Sequence, residues 1–232
     1  MSRCDLHLHS KFSDRSEDWL FRRFDFPDSY SDPFELHRRA KAAGMDFVTI
    51  TDHDTIEGCL AIAALSDTFI SEQVTTYFPQ DPCKVNLLVW GLLEAQHTEI
   101  CRLRDDIFDL QAFLQQELLA HAVAHPLYSI NGKLTTSHLE RLILLFQHFE
   151  GINGLRDVLL SDLTQYLLTQ LTREKIAEFA ERHRISKDTI LPPSISKMWS
   201  SVIGLPGKLP DTLPVTTTFP SRVDTASGST EC

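Results

Sequence analysis

The chain of 232 residues has little that would mark it as secreted or membrane-embedded. It has five cysteines, an odd number, and no two of them have CxxC spacing, so free thiols in a reducing compartment are expected. The longest apolar run, near Leu87–Leu93, is far too short to span a bilayer. The polar N-terminal residues lack the apolar region of a signal peptide. We therefore predict a cytoplasmic protein with no membrane partner.

Basic residues are also scarce relative to acidic ones. The sequence has 22 Lys and Arg against 32 Asp and Glu, a formal net charge of −10, which disfavours nucleic acid as a partner. A bound metal ion could still attract a small phosphorylated substrate, because a cation dominates its own local field. With 42% hydrophobic and 23% charged residues, the composition excludes a fully disordered or fibrous chain.

Two common catalytic signatures are missing from the sequence. There is no GxSxG nucleophile elbow and no Walker A loop. The stretch 204–208 has the wrong length for a phosphate-binding loop, and Pro206 removes an amide donor there. Serine hydrolase and P-loop chemistry are therefore not indicated.

Strand-like and helix-like segments alternate along most of the chain. A helix is predicted to begin after the cap Asp32, with Pro33 at its first position, and to end at Gly44. The segments expected to form strands or strand ends are 3–9, 47–51, 69–76, 85–90, 123–126 and 149–153. The further segments expected to form helices are 56–65, 100–118, one capped by Ser137 and Glu140, 158–168 and 172–184.

This alternation favours an α/β fold with a mainly parallel sheet, either a barrel or a doubly wound sheet. Residues 1–200 are predicted to form one domain. Residues 201–232 contain four prolines, many Ser and Thr and no apolar periodicity, and are predicted to be a low-complexity, disordered tail.

Histidines and carboxylates mark three places where strands end. In the first, Asp5, His7 and His9 alternate along a strand, so they share one face, and the two imidazoles are about 7 Å apart along it. In the second, Asp52 and His53 directly follow an apolar strand, where parallel α/β folds gather catalytic groups. Each motif also has a purely structural interpretation. The first would be a polar strand face with solvated histidines, and the second would be a helix cap near residue 54.

The third place is His125, directly before Pro126 at a strand end, which alone is more often structural. Asp14, five residues after His9, is in a loop that could fold back, and by itself it is uninformative.

In order and spacing, these motifs resemble those of the PHP (polymerase and histidinol phosphatase) family of metal-dependent phosphoesterases. The similar stretches are Asp-x-His-x-His at 5–9, Thr-Asp-His-Asp-Thr at 51–55, Ala-His-Pro at 124–126, and the runs at 44–51, 74–79, 88–91 and 149–154. They are most similar to the branch of the family that often occurs beside glycosyltransferases, over about residues 3–200. The resemblance implies a distorted (β/α)7 TIM-like barrel that is incomplete at its C-terminal end here.

The resemblance also implies a site for three Mn, Zn or Fe ions at the C-terminal ends of the strands. Its metal ligands would include His7, His9, Asp14, His53 and His125. Asp5 and Asp52 would not bind metal themselves but would orient these ligands by hydrogen bonding. The implied reaction is phosphoester hydrolysis by a metal-activated water.

Two ligand positions carry residues that the family does not use. Gln73 stands where the family has a bridging glutamate, and its neutral amide cannot bridge two cations as a carboxylate does. Glu72 is adjacent, but neighbouring strand residues face opposite sides. Asn86 stands where the family has a histidine, and the Asp-x-His motif that closes the family's site is absent after His183.

Three hypotheses follow from these features. The first is a PHP-type phosphoesterase with a reduced metal site and reduced activity on a small phosphorylated substrate. The second is a catalytically inactive PHP pseudoenzyme that acts as a binding or structural module. The third is another barrel metallohydrolase, such as an amidohydrolase, against which the stretches at 51–55 and 74–76 argue.

Overall fold

The computed structural model describes residues 2–13, 23–24, 28–79, 81–154 and 158–185, and the backbone of 194–200. Within these ranges the fold is mixed α/β, as predicted. The strands are β1 (Cys4–Asp5), β2 (Phe47–Val48), β3 (Ser71–Tyr77), β4 (Lys84–Trp90), β5 (Ala120–Val123), β6 (His148–Asn153) and β7 (Ser194–Ser200). The helices are α1 (Pro33–Ala42), α2 (Glu57–Ile62), α3 (Glu94–Leu103), α4 (Ile107–Gln116), α5 (Thr136–Leu145), α6 (Val158–Thr169) and α7 (Arg173–His183).

The strands follow one another in space in the order of the sequence. β1 and β2 form a parallel pair, and β3 to β7 form a five-stranded sheet. β4 runs antiparallel to both β3 and β5, whereas β5, β6 and β7 are parallel. Two isolated parallel bridges, Val48 to Thr68 and His53 to Gln73, join the small pair to the larger sheet.

The described residues do not form a closed barrel of hydrogen-bonded strands. Cα atoms of β7 and β1 approach within 8 Å, but no ladder between them is found in the part of the chain that the structure describes. The predicted tail, residues 201–232, lies outside the described residues, as does Asp14. No helix in the described ranges is long and apolar enough to cross a membrane.

Apolar side chains fill both faces of the sheet. The outer face of β4 presents Val85, Leu87 and Val89 to the helices α3, α4, α5 and α7, which form the largest core cluster. On the inner face a smaller cluster includes Leu88 and Trp90, and the Trp90 indole donates to the Leu6 carbonyl at 2.9 Å. By strand alternation and pairing, Leu88 and Trp90 lie on the same face of the sheet as Gln73 and Asn86.

Two local predictions about helices were wrong. The segment 100–118 forms two helices rather than one, because Asp106 caps a new helix by accepting bonds from the backbone amides of Phe108 and Asp109. The helix near 137 is capped by Thr135 and His138, two residues earlier than predicted. In the first case a capping side chain interrupted the apolar periodicity, and in the second an earlier capping pair took the place of the predicted one.

The cap of α4 gives a test of this helix break. Asp106→Ala should lower the free energy of unfolding by about 1 kcal/mol, because the first turn of α4 loses its side-chain acceptor. Asp105→Ala, at the exposed neighbouring position, is the matched control. Urea denaturation followed by circular dichroism measures both, and equal losses in the two variants would contradict the assignment.

Candidate metal centre

The segment 6–10 is held in place by the strand that precedes His53. The Thr51 amide donates to the Leu8 carbonyl at 2.7 Å, which continues the β1–β2 pairing beyond the ladder. The Asp52 carboxylate accepts bonds from both the amide and the hydroxyl of Ser10, each at 2.6 Å. Asp52 is buried, and burial raises its pKa to about 6 although both bonds from Ser10 oppose the rise. We call these two hydrogen bonds between Asp52 and Ser10 the Asp52 latch. They hold the two segments together so that His9 and His53 lie side by side.

Gly58 makes the latch possible. A Cβ atom at this position would lie 2.1 Å from Asp52 Oδ2 and 2.7 Å from Ser10 Oγ. Glycine therefore lets α2 approach the carboxylate that positions the two histidines.

His7 lies between two acceptors at the centre of the site. Its Nδ1 faces Glu150 Oε1 at 2.7 Å, and its Nε2 faces the Gln73 amide oxygen at 2.6 Å. Glu150 accepts from the ring and, in this orientation of its amide, Gln73 accepts as well, so the surroundings of His7 favour the charged imidazolium. Burial alone would lower the pKa of His7, but the Glu150 carboxylate outweighs it and raises that pKa.

Glu150 is the partner that also orders His125. It is buried, and its Oε2 accepts the His125 backbone amide at 2.7 Å. Burial opposes its ionisation, but His7 and the bonded amide lower the pKa of Glu150 to about 2. The bond holds His125 at φ 28°, a left-handed backbone angle that is costly for a residue with a side chain.

A second group of donors lies beside the first. His9, Asp28 and His53 each offer one ligand atom, and these atoms all lie within 4.8 Å of one another. Asp28 Oδ2 is 3.5 Å from His9 Nδ1 and 3.8 Å from His53 Nε2, and the two imidazole rings stack with centroids 4.7 Å apart. Ser13 Oγ links the group, at 3.1 Å from His9 Nδ1 and 3.2 Å from the His53 amide.

The substituted positions face the directions that the strand alternation predicts. Gln73 faces the site, and its amide nitrogen lies 3.5 Å from His125 Nε2. Glu72 faces the opposite side, where its carboxylate meets His97 at 2.9 Å, so it does not replace Gln73. β3 and β4 pair without a bulge, and Asn86 lies opposite Thr75 on the inner side, where it lines a small pocket with His125.

The structure thus brings together His7, His9, His53 and His125, with Gln73 among them. Asp5 lies behind them, with its Oδ1 3.3 Å from the His7 amide. Whether any of these residues binds a metal stays a prediction.

Sequence reasoning did not single out Glu150 or Asp28. Glu150 could have been noticed as an isolated carboxylate in the apolar stretch Phe149–Ile152, whereas nothing in the sequence around Asp28 distinguishes it.

A shallow opening of about 260 Å³ adjoins the His125 side of the site. The Asn153 amide group reaches into this region and donates to Glu150 Oε1 at 3.1 Å. Leu127, Tyr128 and Leu160 supply much of its wall. The opening therefore connects the His125 side of the site with solvent.

Comparisons with known proteins do not assign this chain to a family. No family model matches the chain. An uncharacterized protein from Methanocaldococcus jannaschii is 38% identical over 72 residues, which is 31% of this chain and 40% of that protein. The chain therefore spans well under half the length of this relative.

Two solved structures share low similarity with the fold. An amidohydrolase from Chromobacterium violaceum, solved with bound sulfate and no metal, has a TM-score of 0.45 and 16% identity, over 79% of this chain and 84% of that one. A Bifidobacterium adolescentis protein described as a metal-dependent phosphoesterase has a TM-score of 0.44 and 13% identity, over 91% of this chain and 92% of that one. Both TM-scores are too low to assign fold or chemistry.

The Asp52 latch predicts the effect of a methyl group at position 58. Gly58→Ala should lower the free energy of unfolding by about 1–3 kcal/mol, because the added Cβ collides with Asp52 and Ser10. Adding Asp52→Ala should cost less in the Gly58→Ala background than in the wild type, because it removes the carboxylate with which the added Cβ collides. Ala61→Ser, exposed on the same helix, is the control in thermal denaturation, and strictly additive losses would contradict the latch.

The His7–Glu150 pair predicts a pH-dependent loss of stability. Glu150→Gln should cost about 3 kcal/mol, because it leaves a buried imidazolium without its counter-ion. The raised pKa of His7 stabilises the fold below pH 6.5, and this contribution is lost as the pH rises through the raised pKa. The lowered pKa of Glu150 stabilises the fold above pH 4.5, and this contribution is lost as the pH falls towards about 2.

The difference between Glu150→Gln and the wild type should therefore be largest between pH 4.5 and 6.5. Denaturant titrations across pH 3–9 measure it, with the exposed Glu181→Gln as control. A difference that does not vary with pH would refute the ion pair.

Proposed function

We propose that the chain is a divalent-metal-dependent phosphoesterase of the PHP kind, with one cation site where the family it resembles has three. The cluster of His9, Asp28 and His53 is the observation that carries this proposal. Two imidazoles and one carboxylate suit Zn, Mn or Fe, and three protein ligands leave a position for water. The sequence motifs at 5–9, 51–55 and 124–126 support the phosphoesterase assignment.

The donor set fits one divalent ion. Two ligands bonded at about 2.1 Å to one ion lie roughly 3–3.5 Å apart, so the 3.5 and 3.8 Å separations at Asp28 need only a small contraction. The three side chains are 9% to 22% exposed, so a cation can enter without the site unfolding. Asp28 is also the carboxylate that gives the ion a counter-charge.

The neighbouring positions fit further metal ions poorly. Gln73 contributes no charge, and both ring nitrogens of His7 are already bonded, one to Glu150 and one to Gln73. A cation there would have to replace one of these bonds while lying close to the first cation. We infer that His7 and Gln73 serve as a hydrogen-bonding wall, meaning a side of the site that offers hydrogen bonds to a ligand, rather than as a second metal site.

The wall has a chemical role in the proposed reaction. A bound divalent cation would polarise a phosphoryl oxygen and lower the pKa of a water ligand. The His7 imidazolium lies 3.0 Å from His9 and can donate to a substrate oxygen that displaces the Gln73 amide. Glu150 keeps His7 charged, and Asp52 keeps His9 and His53 in register through Ser10.

We further propose that β1 to β7 form a distorted (β/α)7 barrel without a hydrogen-bonded ladder between β7 and β1. Their spatial order matches their sequence order, the bridges Val48 to Thr68 and His53 to Gln73 join the segments around β2 and β3, and β7 lies near β1. The site then lies at the ends of β1, β2 and β5, which is where barrel enzymes place their catalytic groups.

A catalytically inactive binding module is the second candidate function. The neutral Gln73 favours it, because an amide lies between His7 and His125, and the nearby Glu150 carboxylate is already bonded to both residues. Metal binding is common to both candidates, whereas turnover separates them.

Calorimetric titration with Mn²⁺ and Zn²⁺ tests the metal site. Asp28→Asn should weaken binding at least tenfold, since the amide removes the only charged ligand of the cluster. Asp105→Asn, at an exposed position, should bind as the wild type does. Gln73→Glu should add a second, weaker binding event, because it restores a carboxylate beside His7. Unchanged affinity in Asp28→Asn would remove the basis of the proposal.

Hydrolysis of para-nitrophenyl phosphate with added Mn²⁺ tests the activity. We expect slow turnover that falls at least tenfold in His53→Ala, with the loss following the metal affinity measured separately. Metal binding without any turnover, on this ester and on the corresponding diester, would establish the binding module instead.

A further inference from the structure

A second cluster of reactive side chains lies on the outer side of β3, on the face opposite Gln73 and the candidate metal centre. Helix α3 presents His97 and Cys101, which are four residues apart and therefore lie on the same side of the helix. The Cys101 sulfur is 3.6 Å from His97 Nε2, and His97 Nδ1 is 2.9 Å from the Glu72 carboxylate. A nucleophile, a base and an orienting carboxylate thus follow one another in the arrangement that activates a thiol.

The burial of Glu72 is an independent indication that the cluster has a role beyond packing. Its side chain is 1% exposed, and its Oε1 has no hydrogen-bond partner among the described residues. A buried carboxylate with an unused oxygen costs stability, and a neutral side chain would pack there at lower cost. What the charge supplies is a fixed acceptor for His97, to which the other oxygen is bonded.

Glu72 sets both the tautomer and the basicity of His97. In the neutral ring Nδ1 donates to the carboxylate, which leaves the lone pair of Nε2 facing the Cys101 thiol. The bond to Glu72 raises the pKa of His97 above its ordinary value of 6.5, so the ring is a stronger base than a solvated histidine. Asp54 and Arg104 also face the cluster, but they are paired with each other at 2.7 Å, so their opposite charges largely offset.

The Cys101 thiol is accessible and stays protonated at rest. It is exposed, whereas the other cysteines in the described ranges are buried or half-buried. Partial burial of the sulfur and the nearby Glu72 charge raise the pKa of Cys101 above its ordinary value of 9.0. Such a thiol is strongly nucleophilic once its proton is removed, because the nucleophilicity of a thiolate rises with its pKa. His97 is the group placed to remove that proton.

We propose that Cys101 is a site of reversible modification by low-molecular-weight disulfides, with His97 as its base and Glu72 as a positioning residue. As Cys101 Sγ attacks one sulfur of the disulfide, His97 Nε2 takes the thiol proton. A new S–S bond forms while the bond within the disulfide breaks, and the leaving thiolate takes the proton from the His97 imidazolium. Cys101 is thereby oxidised to a mixed disulfide, and the other half of the disulfide is reduced to a free thiol.

A disulfide is the electrophile that this cluster suits. Attack on sulfur develops no oxyanion, so it needs only a nucleophile, an acceptor for its proton and access from solvent. Acyl transfer would also require hydrogen-bond donors aimed at a developing oxyanion. A mixed disulfide on an exposed thiol is reversed by excess thiol, so the modification is transient in a reducing compartment.

Reaction of the full chain with glutathione disulfide tests the proposal. Trypsin releases residues 85–102 as a peptide whose only cysteine is Cys101, so mass spectrometry after blocking of free thiols measures the adduct at this position alone. In the wild type the rate should rise as the pH passes the raised pKa of His97. In His97→Ala the rate should be at least tenfold lower at about pH 8 and should rise only as the thiol itself ionises, above its ordinary pKa of 9.0.

Three further measurements separate a base from a packing residue. Imidazole added to His97→Ala should restore part of the lost rate, because a small base enters the half-exposed position that the side chain leaves. Glu72→Gln should move the rise in rate to lower pH, towards 6.5, because His97 loses the charge that raises its pKa. His37→Ala, which removes a histidine bonded to Asp67, should react as the wild type does.

Several results would overturn the proposal. They are a wild-type rate in His97→Ala, a loss of rate that imidazole does not restore, and a wild-type rate that rises only above about pH 9. Circular dichroism of each variant shows whether the fold is retained. If His97→Ala does not fold, the pH profile of Glu72→Gln decides, because a profile identical to that of the wild type would contradict the role of Glu72. None of these measurements depends on metal binding or on turnover.

Discussion

The buried carboxylate of Glu150 is the group on which the geometry of the site depends. One oxygen binds the His7 ring and the other binds the His125 amide, so a single side chain on β6 joins the segments after β1 and β5. A buried charge is stable only when it is fully paired, and Glu150 is paired on both oxygens. Without it, His7 would lose its charge partner and the strained backbone at His125 would lose its restraint.

Gln73 determines what the rest of the site can hold. In this structure its amide oxygen lies 2.6 Å from His7 Nε2, and the amide brings no negative charge to the site. The negative charge near His7 comes instead from Glu150, which is already bonded on both oxygens. We therefore place the proposed cation at the neighbouring His9, Asp28 and His53, and propose one metal ion rather than three.

Local sequence patterns predicted the elements that carry the site better than they predicted its partners. Strand alternation placed Gln73 inward and Glu72 outward, as the structure shows. The partners of His7 could not be read in the same way, because Glu150 is 143 positions away and reaches His7 only through the strand order. Asp28 lies in a polar stretch with no periodicity, and Asp14 lies outside the described residues.

The number and position of bound metal ions test the account most directly. Crystals soaked in Mn²⁺, with diffraction recorded at an energy where manganese scatters anomalously, would locate each ion. The account predicts one anomalous peak per chain, between His9, Asp28 and His53. Additional peaks of comparable height beside Gln73 and Asn86, or the absence of a peak at Asp28, would contradict it.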